Sequence, residues 1–245
     1  MIVLFTDFGS SGPYIGQMKA VLCQRAPSTP VIDLMHDAPT FDPQAAAYLL
    51  ASLVSELPKG CVFLCVVDPG VGSQRKPLIA RIKGRWFVGP DNGVFDIVAQ
   101  HALAESEVSW WEISWRPKSL SSSFHGRDLF APVAAMLAKG DEPPGRRLDV
   151  SADRLCRWPS DLYKVIYIDH FGNAMTGLRA AKVDTNTRIA VANQQLCWAR
   201  TFSEVAKGEG FWYQNSNGLV ELAVNQGRAD KILQLNLGDA LTIVA

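Results

Sequence analysis

The sequence predicts an α/β protein in two parts: an N-terminal domain with a central, mainly parallel sheet flanked by helices, and a smaller C-terminal β-rich, barrel-like domain. Three observations carry this. Short apolar runs rich in Val, Ile and Cys alternate with segments of helical periodicity through the first half of the chain. Several of those runs stop at an Asp followed by Gly or Pro, the turn chemistry of a strand end. Beyond Tyr163 the helical periodicity gives way to a succession of short strand-like runs.

Ile2–Phe5 reads as the first buried strand and stops at Thr6-Asp7-Phe8-Gly9. Tyr14–Arg25 places Ile15, Met18, Val21 and Leu22 at helical spacing. Val31–Met35 is a second strand, ending beside His36 and Asp37. Asp42-Pro43 then opens a helix running to about Leu57, with a carboxylate cap and a proline in the first turn. Cys61–Val67 is too short for a helix and apolar throughout, so it reads as a strand covered on both faces. The succession strand–helix–strand–helix–strand implies parallel pairing with right-handed crossovers. Leu78–Ile82 and Trp86–Val88, joined by Lys83-Gly84-Arg85, form a hairpin. Gly89-Pro90-Asp91-Asn92-Gly93 is a dense turn signal before the helix Val94–Val98. A strand follows at Val108–Ile113, and the polar loop Ser121–Asp128 enters a helix at Leu129–Leu137. Lys139–Pro159 has three prolines and no sustained period and reads as a linker. The domains are therefore placed at 1–150 and 163–245, with 151–162 between them. The second contains strands at Val165–Ile168, Arg188–Val191, Phe211–Gln214, Leu219–Val224 and Ala240–Val244, with a turn at Gln214–Gly218.

Composition narrows the function. The 245 residues carry 24 basic and 24 acidic side chains, so no global charge draws the chain to nucleic acid or to an anionic membrane. No apolar run approaches the ~20 residues of a membrane span. The N-terminus lacks the charged and apolar regions of a signal peptide. Five cysteines show no framework spacing, and Cys61 and Cys65 lie on an apolar strand, which suits a reducing compartment. These features together predict a cytoplasmic protein.

Several familiar chemistries leave no trace in the chain. It has no GxGxxG opening a helix after the first strand, no GxxxxGK[ST], no GxSxG and no HExxH, and its four histidines lack metal spacing. What it does carry is polar residues at strand ends. Asp7, Asp37 and Asp68 follow the first three strands, where open α/β sheets bind ligands. Arg75 lies one short loop beyond Asp68, near enough to form a bidentate pair with it. His125 precedes a helix, where free N–H groups favour an anion. Each has a plainer reading beside the functional one: Asp7 as a turn-forming acid, Asp68 as a turn cap, Arg75 as a solvated base, His125 as a packed or capping residue.

Five motifs occur in order: Thr6-Asp7-Phe8-Gly9, Asp68-Pro69-Gly70-Val71-Gly72, Gly89-Pro90-Asp91-Asn92-Gly93, Phe124-His125-Gly126-Arg127-Asp128 and Asp169-His170-Phe171-Gly172-Asn173. Together they resemble the S-adenosyl-L-methionine hydroxide adenosyltransferases, relatives of the fluorinating and chlorinating enzymes, from residue 2 to the C-terminus. The resemblance implies hydrolysis of S-adenosyl-L-methionine to adenosine and L-methionine, with water or hydroxide attacking the ribose C5′. It implies a catalytic Asp68–Arg75–His125 set and no metal or cofactor, since S-adenosyl-L-methionine is itself the substrate. By the same resemblance Asp7 holds the ribose hydroxyls, Phe41 lines the ribose pocket, Asp169 and Ser216 grip the methionine end, and Asn173 contacts adenine. Phe171 belongs to the same binding set. The halogenating branch carries tyrosines where this chain has Asp68 and His125, and an extra loop, which points to water rather than halide as the nucleophile. The family is trimeric with sites between subunits, and tryptophans such as Trp158 and Trp212, read as loop residues, suit either such interfaces or ordinary packing. The alternatives are a halide-using transferase, a non-catalytic adenosylmethionine or adenosine sensor, and a metal-dependent phosphoesterase built on Asp7, Asp37, Asp68, Asp91 and His125.

Overall fold

The computed structural model describes residues 1–103, 107–149 and 155–244. The chain divides into two compact units, Met1–Trp158 and Pro159–Ala245. Residues 151–154 of the expected linker lie outside the described residues.

In the first unit, β1 (Ile2–Thr6), β2 (Val31–Met35), β3 (Val62–Val66), β4 (Pro77–Ile82), β5 (Arg85–Pro90), β6 (Val108–Ile113) and β7 (Gly145–Leu148) form one sheet in the order β2-β1-β3-β5-β4-β6-β7. β2, β1, β3 and β5 are parallel, and β4, β6 and β7 pair antiparallel. The sheet is thus mixed rather than mainly parallel. Its direction reverses at the hairpin joining β4 and β5, where Lys83 (φ 48°) and Gly84 (φ 74°) are both left-handed, the geometry that matches strand twist in two-residue turns. β7 falls in the stretch that reads as a linker; it has no apolar alternation and is a strand because it pairs along β6.

Both faces of the central strands are covered, which is why they read as continuous apolar runs. α1 (Tyr14–Arg25) and α4 (Ala131–Ala138) pack on Ile2, Leu4, Val62, Leu64 and Val66. On the other face Phe63 stacks on Phe87 at 4.9 Å, and Phe87 meets Phe95, at the start of α3 (Asp96–Ala102), at 5.6 Å. α2 (Pro43–Leu53) packs on α3 and is capped by Asp42, whose Oδ1 accepts from the Ala45 N–H at 3.0 Å. α2 ends sooner than expected and passes into a 3-10 turn at Val54–Glu56. α3 starts two residues late because Asn92 and Gly93 engage the first N–H groups, those of Val94 and Asp96, in turns.

The second unit holds β8 (Leu162–Ile168), β9 (Ala174–Arg179), β10 (Arg188–Val191), β11 (Gln194–Trp198), β12 (Gly210–Gln214), β13 (Leu219–Val224), the one-turn helix α5 (Ala229–Ile232) and β14 (Leu241–Val244). The sheet order is β14-β10-β11-β12-β13-β9-β8. Lys164 on β8 bridges Ala240 just before β14, so the sheet nearly closes on itself as a barrel. β9 and β11 escape the sequence pattern because AMTGLR and QQLCW carry polar or small residues; their partners make them strands. Trp212 is a core residue of β12, 1% exposed, and not a loop residue.

Candidate active site

The carboxyl ends of β1 and β3 open onto a cavity of about 630 Å³ in the first unit, lined among others by Asp7, Phe41, Asp68 and His125. Asp68 is the second residue past β3. Tight turns fold the chain back behind it: Val71 N–H donates to the Asp68 carbonyl (3.2 Å) and Ser73 N–H to that of Gly70 (3.0 Å). Arg75 N–H then reaches Ser73 Oγ at 3.2 Å. Gly72 sits at φ 80°, and a Cβ there would stand 2.7 Å from the Ser122 carbonyl, so this loop lies against the segment that leads to His125.

The result is a fork. Arg75 Nε donates to Asp68 Oδ1 at 2.9 Å, and Nη2 donates to Oδ2. The two side chains are 10% and 4% exposed, so the charges face one another largely out of water. The guanidinium also lies over the Phe130 ring at 5.2 Å. Arg75 Nη2 donates further to His125 Nδ1 at 2.9 Å. A guanidinium can only donate, so this bond makes Nδ1 an acceptor and leaves the imidazole neutral, its proton on Nε2. Burial, then the Arg75 charge, hold the His125 pKa below its ordinary value, against the opposing pull of Asp68 and Asp128; Arg116 adds to the lowering. His125 caps a wide helical turn, Gly126–Phe130, that runs directly into α4, so the helix begins earlier than the sequence suggests.

Asp7 follows β1, and its Oδ2 accepts the Phe41 N–H at 3.2 Å. Burial raises the Asp7 pKa, the Phe41 N–H opposes this, and the charge of Asp68 adds to it. Phe41 itself is 76% exposed and held at φ 59°, a conformation that a bulky side chain adopts only under constraint. Phe8, Tyr14 and Phe124 pack on one another at 5.4–5.9 Å, Phe124 edgewise to the other two, and form an apolar wall. Asp37 and Asp91 are absent from the lining, and among the described residues no three His, Cys, Asp or Glu side chains are grouped to hold a metal ion.

Asp169, Phe171, Asn173 and Ser216 line a separate cavity of about 810 Å³ in the second unit. Asp169 accepts from Asn173 through both oxygens, from N–H at 2.8 Å and from Nδ2 at 3.2 Å. Phe171 projects from the same turn, 72% exposed. Among the further lining residues, Tyr213, Asn215 and Glu221 have no site role in the sequence reading. Glu221, 2% exposed, accepts from Tyr213 Oη and from Asn215 Nδ2 (2.8 Å). Burial drives its pKa up, the two hydrogen bonds oppose this, and Asp169 adds to it. A single acid inside the otherwise apolar run LVELAV was the available signal.

Residues 2–146 match the profile described as SAM hydroxide adenosyltransferase N-terminal domain, and residues 163–242 match that of its C-terminal domain. The chain belongs to the SAM hydroxide adenosyltransferase family. Among its curated relatives, the "(R)-S-adenosyl-L-methionine hydrolase" of Thermus thermophilus is 40% identical, over 97% of this chain and 96% of the relative. The protein of that name from Methanocaldococcus jannaschii is 30% identical, over 100% and 95%. The "Fluorinase" of Nocardia brasiliensis is more distant, at 25% over 92% and 90%. A crystal structure of an uncharacterized conserved protein from Thermotoga maritima superimposes with a TM-score of 0.87 at 33% identity, each chain fully covered. By sequence identity this chain stands nearer these hydrolases than this fluorinase.

Proposed function

We propose that this chain hydrolyses S-adenosyl-L-methionine, and in particular its (R)-sulfonium epimer, to adenosine and L-methionine. The observation that carries the reading is the Asp68–Arg75–His125 fork, whose Asp68 and His125 line a nucleoside-sized cavity with Arg75 bonded behind them, in a chain related over nearly its full length to named hydrolases. An oxygen of water forms the new bond to C5′, the C5′–S electron pair leaves with the thioether of methionine, and one proton is released. Asp68 fixes the guanidinium plane. Arg75 spends Nε and Nη2 on Asp68 and His125, which leaves Nη1 to donate to the attacking oxygen. His125, with its proton on Nε2, offers a second donor beside it. Donors of this kind stabilise hydroxide, or the hydroxide character of an attacking water, in a pocket where fixed dipoles act more strongly than in water. Asp7 takes the ribose hydroxyls, and Phe41 and the Phe8–Tyr14–Phe124 wall exclude solvent from the reacting carbon. In the second unit Asp169 and Ser216 would hold the methionine end, and Phe171 and Asn173 the adenine.

The reaction so written needs no metal or cofactor. A homotrimer in the cytoplasm remains part of the proposal. No helix of the described residues is long and apolar enough to cross a membrane. The test is to give pure protein each sulfonium epimer separately, with and without EDTA, and to measure adenosine and methionine. Equal amounts of both products, faster from the (R) epimer and unchanged by EDTA, support the proposal. Adenosine binding without methionine release would make the chain a sensor; turnover retained in EDTA excludes the metal-dependent phosphoesterase, and turnover lost in EDTA would overturn the metal-free mechanism.

A further inference from the structure

The loop that carries Asp68 and Arg75 is gripped at both ends by the Asp91–Asn92 turn, a contact outside the proposed chemistry. At its start, Asn92 Nδ2 donates to the Val67 carbonyl at 2.8 Å, the peptide group directly before Asp68. At its end, Asp91 N–H donates to the Lys76 carbonyl at 2.8 Å, directly after Arg75. Asn92 Oδ1 accepts the Val94 N–H at 3.3 Å, so one amide joins the entry of α3 to the exit of β3. The loop's other wall is the Ser122 carbonyl against Gly72, on the segment leading to His125.

We propose that Asn92 is a positioning residue for the Asp68–Arg75–His125 set, holding the Val67 carbonyl so that Asp68 leaves β3 aimed at Arg75. The proposal deepens the hydrolase reading and rests on it for the turnover arm of its test. Val67 is fully buried and lies beyond the last residues of β3 in register with β1 (Val66) and β5 (Leu64), so its carbonyl has left the strand ladder. A side-chain amide is the group that can both donate to that carbonyl and accept from the turn. Without it, the first residue of the catalytic loop swings on an untied peptide, and displacements near 1 Å at a reacting centre can cost about 100-fold in rate.

Two variants separate this from a plain turn-forming role. Asn92→Ala loses both contacts. Asn92→Asp keeps an acceptor for the Val94 N–H but sets an oxygen against the Val67 carbonyl. The expected result is a kcat loss of about 100-fold in both, with KM for S-adenosyl-L-methionine within about 2-fold of wild type. A readout independent of turnover is the His125 imidazole, followed by ¹⁵N NMR across pH. In wild type it is expected as the Nε2–H tautomer titrating below its ordinary range. In both variants its pKa should rise as Arg75 drifts from it, with Asp68, Asp128 and Arg116 the other charges facing the ring. Wild-type kcat in Asn92→Asp, or an unchanged imidazole titration in that variant, would overturn the proposal. If wild type fails to hydrolyse the substrate at all, the hydrolase reading falls and the imidazole titration still decides the role of Asn92.

Discussion

The bond between Arg75 Nη2 and His125 Nδ1 sets the pH behaviour of the site, because it survives only while the imidazole is neutral. The His125 pKa is depressed in the folded protein, chiefly by burial and then by Arg75. Falling pH therefore protonates it only below the ~6.5 of a free imidazole. The expected kcat profile has an acid limb with its midpoint under that value. A midpoint above it would contradict the depressed pKa, and activity that falls as pH rises through the midpoint would mean that the cationic form is the one used. The same sign governs stability: this contribution is present above the unfolded-state pKa and is lost as pH falls through the folded one. Arg75→Ala should abolish most turnover and also destabilise the protein by about 3–5 kcal/mol in denaturant titration, since it strands the buried Asp68 carboxylate. His125→Ala should cut turnover and leave substrate affinity in place, whereas Asp7→Ala should mainly weaken binding. Phe41 makes the opposite case. Glycine at its φ of 59° removes strain of about 1–3 kcal/mol, so Phe41→Gly should lose substrate affinity while the relief of strain offsets the greater backbone entropy that glycine loses on folding. A melting temperature well below wild type would show that Phe41 is a structural residue instead.

At the scale of elements, the strand ends made the site legible. Two of the three apolar runs, those stopping at Asp7 and Asp68, mark the sheet edge where the cavity opens, and the short Gly-rich loop brings Arg75 into range of Asp68. The sequence could not reveal that Asp37 stays out of the cavity, because position after a strand does not fix side-chain direction once the chain turns. Nor could it reveal Tyr213 and Glu221: their roles depend on β12 lying antiparallel to β13, a pairing with no local signature beyond the turn joining them. β7, β9 and β11 were missed for the same reason, being strands by partnership rather than by pattern. The antiparallel half of the first sheet follows from the left-handed pair at Lys83–Gly84, where only the glycine announced itself. The loop between Asp68 and Arg75 gives its own test. Gly72→Ala meets both an unfavourable φ of 80° and the Ser122 backbone, so the loop must shift. Turnover should fall at least 10-fold while stability drops by only about 1 kcal/mol. Unimpaired kcat would show that the fork tolerates movement of its loop.

Across the whole molecule, two compact units each hold a cavity with acidic side chains in a mainly apolar lining, one at the end of a mixed sheet and the other on a nearly closed β sheet. The first holds the Asp68–Arg75–His125 set proposed to hold the nucleophile, the second the buried Glu221 with its hydrogen-bond partners, Asp169 and the exposed ring of Phe171. The proposed trimer predicts a sedimenting mass three times that of the chain at enzyme-assay concentrations; a monomer retaining full turnover would remove the assembly from the account. Its central claim is chemical: an oxygen from solvent, held by Arg75 and His125, displaces sulfur at C5′. Turnover of S-adenosyl-L-methionine in ¹⁸O-labelled water tests this most directly. The account predicts one labelled oxygen in the 5′-hydroxyl of adenosine and none in methionine. Adenosine without label, or a C5′ product bearing any other nucleophile, would contradict it.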